Sequence, residues 1–315
     1  MGGHAMRFAA ITSARAFLAR PGRKTLLLAV AVTVSLATNS AVAGLTYGLE
    51  SYAPGPGVPS SAPTYLYSFD DNTHGAVTNL GALNGGKIDA DALAWSSTYG
   101  LIAFSVSSGA AAPSMLGIDP GTATATSKGF SYANRDIRGA VFDAADNLWV
   151  ADAANEQLLR ISPTSGGVLQ TINLTLPGAA FDLSNATDIA IARDGTFFLV
   201  NAYDIYVVDT GTGTLTLQHN FAPPGISTHA LAGAAFSTDG PHNVLFGYEI
   251  NGTDDIYQYD ITAGYASTTF DLDFISGFNA GRGDLATITP VPVPGALLLG
   301  LVGVATAGRR LRRRR

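Results

Sequence analysis

The chain has 315 residues, 47% hydrophobic and 13% charged, with 36 Gly and no Cys. This composition excludes a largely disordered chain and a disulfide framework, and it suits an all-β globular protein. All 24 acidic residues lie between Glu50 and Asp284 against seven Lys or Arg, so the body carries a net −17 beneath the overall −6, which argues against nucleic-acid binding.

In chain order, Arg7, Arg15, Arg20, Arg23 and Lys24 precede an apolar run from Leu26 to Ala37, and Ala41-Val42-Ala43 follows with the small-residue pattern cut by signal peptidase. The pattern predicts a signal helix within residues 1–43, cleaved after Ala43, whether translation starts at Met1 or Met6. An apolar run of about a dozen residues is shorter than the roughly 20 that a spanning helix needs. Residues 44–63, which include SYAPGPGVPSSAP, read as a Pro/Gly-rich lead-in.

From Thr64 to Thr289 two patterns recur. One is a small, apolar strand: ADALAWSS, IRGAVFDA, ATDIAIAR, LAGAAFST and RGDLATIT, whose third residues Ala92, Gly139, Asp188, Gly233 and Asp284 lie 47, 49, 45 and 51 residues apart. The other is an apolar strand running into a polar turn, anchored at Asp70, Asp119, Ser162, Asp209 and Asp260 with spacings of 49, 43, 47 and 51. The stretch Ile137 to Leu174 shows four alternating runs separated by DAADN, DAANEQ and PTSGG, which makes the unit a four-stranded antiparallel blade. A period of 40 to 50 residues with four strands per unit predicts a β-propeller whose blades bury their faces only against one another.

The expected repeats run near 90–136, 137–185, 186–230 and 231–281. The body opens on a third-strand pattern and ends on a first-strand pattern, so a fifth blade is to be closed by residues 282–289 together with 64–80. Its strands are expected at Gly283 to Thr289, Thr64 to Phe69 and Ala76 to Leu80, with LTYGLES from Leu45 the local candidate for the missing second strand. Such closure removes exposed sheet edges. DNLWVADA at Asp146 and DGTFFLVN at Asp194 resemble the second strands of NHL-type propellers, a likeness that implies a fold and no particular chemistry.

Residues 290–315 begin with VPVP, continue with an apolar run from Gly295 to Gly308 and end in Arg309, Arg310, Arg312, Arg313, Arg314 and Arg315. A short apolar helix followed by arginines stalls in the inner membrane with the arginines held cytoplasmic. Val291, Pro292, Pro294, Gly295, the Leu297–Leu299 run and the arginines resemble the PEP-CTERM sorting signal, with Val293 where that family has Glu. The resemblance implies an exosortase-like processing enzyme and delivery to the cell surface or an exopolysaccharide matrix of a Gram-negative envelope. A plain C-terminal tail anchor is the alternative.

No nucleophile elbow, HExxH, P-loop or paired His motif occurs. His74, His219, His229 and His242 fall on separate turns and read as surface residues. Asp89, Asp136, Asn185, Asp188 and Asp284 lie at or just before the first strands, where a ring of hard oxygens can hold Ca²⁺ over a propeller channel. The preference for Asp over Glu is also ordinary turn chemistry. Arg282-Gly283-Asp284 spells an adhesion tripeptide but falls in register with the other first strands, and Trp95 and Trp149 read as interblade core.

The expected function is that of an exported, surface-sorted, non-enzymatic binding or matrix protein that requires no cofactor. A calcium-dependent hydrolase or lyase acting at the channel mouth is the alternative, and a purely structural surface protein the second.

Overall fold

The structure, a computed structural model, describes residues 44–52, 64–70, 77–105, 112–183, 187–220, 230–237, 244–250, 256–270 and 280–287. The predicted signal segment with Ala41 and Ala43, most of the lead-in, the sorting tail from Val291 to Arg315, Asn185, His74, His229 and His242 lie outside the described residues.

The described strands form five antiparallel sheets of four strands each. Strands β1 (Leu45–Tyr52), β2 (Thr64–Asp70) and β3 (Thr78–Ala82) come first, followed by the first blade: β4 (Ala90–Ser96), β5 (Gly100–Ser105), β6 (Ser114–Asp119) and β7 (Thr124–Ser131). The second blade is β8 (Ile137–Phe142), β9 (Leu148–Asp152), β10 (Gln157–Ile161) and β11 (Val168–Asn173). The third is β12 (Thr187–Ile191), β13 (Phe197–Asn201), β14 (Asp204–Asp209) and β15 (Thr214–Asn220). The fourth is β16 (Ala230–Phe236), β17 (Val244–Ile250), β18 (Ile256–Asp260) and β19 (Ala266–Phe270). Strand β20 (Ala280–Thr287) joins the first three strands in the order β20-β1-β2-β3 and completes the fifth.

The five small, apolar strands are the innermost ones. β4, β8, β12, β16 and β20 pack side by side, each against the next and β20 against β4, so they close a ring about an axis. This ring explains their composition, because five strand edges converge there and only small residues let the backbones approach. A Cβ on Gly139 would lie 2.3 Å from Asp188 Oδ1 and 2.6 Å from its Cα, and one on Gly233 would lie 2.9 Å from Asp284 Cα. Outward from the axis, one apolar cluster fills each gap between blades. Leu49 and Leu66 meet Leu93 and Leu116 between the fifth and first blades. Phe104 and Met115 meet Val150 and Leu159, and Trp149 and Leu158 meet Leu199 and Tyr206. Val200 and Ile205 meet Leu245 and Tyr259, and Phe246 and Ile256 meet Tyr67 and Phe69. Each fully buried Leu, Ile or Phe contributes about 1.5–3 kcal/mol, so the blades are held by faces that none of them can bury alone.

In the fifth blade LTYGLES is the second strand, paired to β20 from Thr46↔Thr287 onward and to β2 from Leu45↔Asp70 to Ser51↔Thr64. β3 begins two residues later than expected, beyond a register shift between Leu66 and Tyr67. Trp149 is core, with its Nε1 donating to Asp143 Oδ2 at 3.0 Å, whereas Trp95 is only partly buried. His219 is also half-buried and stacks on Tyr265 at 4.6 Å, and burial lowers its pKa.

Candidate functional site

The axis is where polar chemistry and burial coincide. Asp188 and Asp284 occupy the same repeat position on β12 and β20, and both are fully buried. Asp188 Oδ1 accepts from the Ile189 N–H at 2.6 Å, and its Oδ2 reaches across to the Ala234 N–H of β16. Asp284 does the same two blades further on: Oδ1 accepts from the Leu285 N–H and Oδ2 from the Leu93 N–H of β4. The receiving backbones lie just beyond bulges, between Leu231 and Gly233 and between Asp91 and Leu93, and Ala92 there has φ 51. A bulge turns an N–H away from its ladder and towards the axis, and a carboxylate oxygen satisfies it.

The two carboxyls are also hydrogen-bonded to each other. Burial pushes both well above the usual carboxylate range, and Asp91 adds repulsion to each. The two groups titrate together, so the buried pair holds a proton that an exposed Asp has already lost.

One residue earlier on their strands, Asp91 and Arg138 form a buried ion pair, with Arg138 Nη1 3.2 Å from Asp91 Oδ2 and Nη2 2.8 Å from Asp136 Oδ2. Burial works against the charge on Arg138, but Asp91 and Asp136 outweigh it and raise its pKa. With two carboxylates on one guanidinium, this group offers an incoming anion no net positive charge. Beside it Arg135 Nη1 binds Asp152 Oδ2 at 2.7 Å and Gln157 Oε1 at 2.8 Å, and Asp152 Oδ1 accepts from the Asp136 N–H.

Of the residues expected to ring a metal, Asp188 and Asp284 come together, Asp136 turns to Arg138, and Asp89 accepts from Thr64 Oγ1 at 3.4 Å. Among the described residues no three His, Asp or Glu are placed to hold a metal ion. Arg282-Gly283-Asp284 lies in the innermost strand with Asp284 buried, not in an exposed loop. Asp91 and Arg138 were not singled out from the sequence. The available signal was a charged residue inside an otherwise apolar first strand, at the same register in two successive repeats.

Beyond the carboxyl pair the axis becomes apolar. A cavity of about 50 Å³ is lined by the last residues of the inner strands, including Ala94, Trp95, Phe142, Ile191, Phe236 and Thr287. A small-molecule site is typically ~300–1,000 Å³.

No family model matches the chain, and no curated protein matches it. Solved structures resemble it. The glutaminyl cyclase of Myxococcus xanthus is 14% identical, with 67% of this chain and 86% of that chain covered and a TM-score of 0.43. A catalytically inactive virginiamycin B lyase of Staphylococcus aureus is 15% identical over 71% of each chain, with a TM-score of 0.39. A protein of unknown function from Bacteroides thetaiotaomicron is 12% identical over 72% of this chain and 59% of that one, with a TM-score of 0.49. At these values the likeness bears on no chemistry.

Proposed function

We propose that the protein is exported, sorted to the cell surface or exopolysaccharide matrix of a Gram-negative envelope, and acts there as a binding or matrix component rather than as an enzyme. The observation that carries the non-catalytic reading is the use of the axial carboxylates. All four oxygens of Asp188 and Asp284 accept backbone N–H groups of the inner strands, two of them across to the next blade, so the buried carboxyls at the axis are spent on the fold. The export reading is supported by the n-region, the Ala41-Val42-Ala43 site and the VPVP–apolar–Arg tail. Processing at the tail is assigned to an exosortase-like enzyme, and the PEP-CTERM resemblance supplies that assignment.

The test is fractionation of a Gram-negative host expressing the full chain, with mass spectrometry of both ends of the recovered protein. The expected product starts at Gly44, lacks the arginines from Arg309 and appears in the surface or matrix fraction. A protein retained in the cytoplasm with its first 43 residues intact refutes the export reading. A saturable, calcium-dependent rise in Tm that is abolished by Asp136→Ala would instead favour the hydrolase or lyase reading.

A further inference from the structure

Both ends of the described body leave the propeller from the same face, at its centre. The inner strands run in one direction, since the last residues of all five line the same cavity, and Thr287, the end of β20, is among them. β1 runs antiparallel to β20 with Thr46 opposite Thr287, and their hydroxyl oxygens are 3.1 Å apart. The chain therefore enters β1 and leaves β20 side by side, on the face that also carries the β4–β5, β8–β9 and β12–β13 turns and the β6–β7, β10–β11 and β14–β15 turns.

We propose that this face is held against the phospholipid headgroup surface of the inner membrane for as long as the tail is attached. The inference rests on the export and tail reading above and adds an orientation to it. Residues 288–294 separate Thr287 from the apolar run at Gly295. Seven residues span at most about 24 Å when fully extended. To present the opposite face, the tether would have to cross a four-stranded blade, about 14 Å, and then descend a strand of eight residues, about 25 Å. The route of roughly 39 Å exceeds the reach, so the molecule cannot turn over. Attachment and not attraction sets this orientation: Asp119, Asp143, Asp194 and Asp209 lie in the turns of this face, and an anionic bilayer repels them.

The absence of Cys makes the test direct. The chain as left by signal cleavage, Gly44 to Arg315, is inserted into vesicles of phosphatidylethanolamine and phosphatidylglycerol that carry a spin-labelled headgroup lipid as a contact quencher. A single fluorophore is placed by Ser97→Cys or Thr164→Cys on the proposed membrane face, or by Ala133→Cys or Ala154→Cys on the opposite one, all at exposed positions. Loss of fluorescence is expected at Ser97 and Thr164, with none at Ala133 and Ala154. Inserting about twenty Gly/Ser residues between Thr289 and Pro290 should abolish the difference, because the longer tether spans the rim. A chain that floats with the vesicles but is quenched equally on both faces, or more at Ala133 and Ala154, overturns the orientation alone. A chain that does not float overturns the tail reading and this one with it.

Discussion

The shared proton at the axis makes stability depend on pH in a defined direction. In the unfolded chain Asp188 and Asp284 titrate near the ordinary Asp value of ~3.9, whereas the folded pair is raised well above it by burial and by neighbouring carboxylates, Asp91 among them. Their contribution is complete below about pH 4 and is lost as pH rises towards the folded values, because the native state then binds protons that the unfolded state has released. For as long as the folded pair keeps one proton that the unfolded chain has released, the slope is about −1.4 kcal/mol per pH unit. Each pH unit on that slope is a sizeable share of a typical stability of ~5–15 kcal/mol. The assay is urea unfolding at intervals from pH 5 to 8, comparing the natural chain with Asp284→Asn. His219, lowered by burial, gives the opposite slope below about pH 6.5, but it is present in both proteins and cancels in the difference. The variant should be flatter by about 1.4 kcal/mol per pH unit. It should also be less stable at low pH by roughly 1–3 kcal/mol, because the new amide NH₂ faces the N–H of Leu93 or Leu285. Parallel curves for the two proteins would refute the shared proton.

Three further outcomes follow from the same packing. Gly139→Ala should cost about 1–3 kcal/mol in urea unfolding, since its Cβ meets backbone atoms of Asp188 and Ile189, while Gly117→Ala meets only the far end of Lys128 at 3.2 Å and should be near neutral. Arg138→Met should destabilise by about 3–5 kcal/mol by stranding Asp91, and Asp91→Asn in that background should restore part of the loss, read as Tm. Burial pushes Tyr132, whose hydroxyl donates to Gly166 O at 3.2 Å, up to about 12, so stability should fall as pH rises from about 10 towards that value. Tyr132→Phe should remove about 1.4 kcal/mol per pH unit from that slope, and absorbance titration of tyrosinate should lose part of its highest-pH component, the rest belonging to Tyr206, which burial also pushes up to about 12.

The period was legible because each marker has a physical cause that repeats. The inner strands are small where edges converge, as at Ala92, Gly139 and Gly233. The third strands end in Asp where a turn needs a side-chain acceptor: Asp119 and Asp209 each bind the N–H two residues on and a Thr hydroxyl three residues on. The second strand of the fifth blade was harder to see, because Gly48 interrupts its alternation. The reason lies across the sheet, where the buried Tyr67 ring stands within 2.0 Å of the place a Cβ would take. At the axis, the sequence located Asp188 and Asp284 but could not show what takes up their oxygens, since the donors are backbone groups of the neighbouring blade. The Asp91–Arg138 pair is 47 residues apart and is visible only once two repeats are laid in register.

The place of β20 in the chain ties fold closure to the order in which the chain emerges. Four blades are continuous in sequence, but the fifth joins Thr46 to Thr287 across 241 residues. Closing a loop of that length is entropically costly, and the contacts that offset the cost form only when β20 is present. Until then β1 offers an open edge, and the Leu93 N–H at the axis lacks the Asp284 carboxyl that takes it up. A ring of this design is incomplete while Ala280–Thr287 remains inside any export channel, and it can lock only after Thr287 has passed. Under the export and tail anchoring proposed above, only residues 288–315 would then remain behind, and a short tether on the closing face would hold a finished propeller rather than a partly folded one.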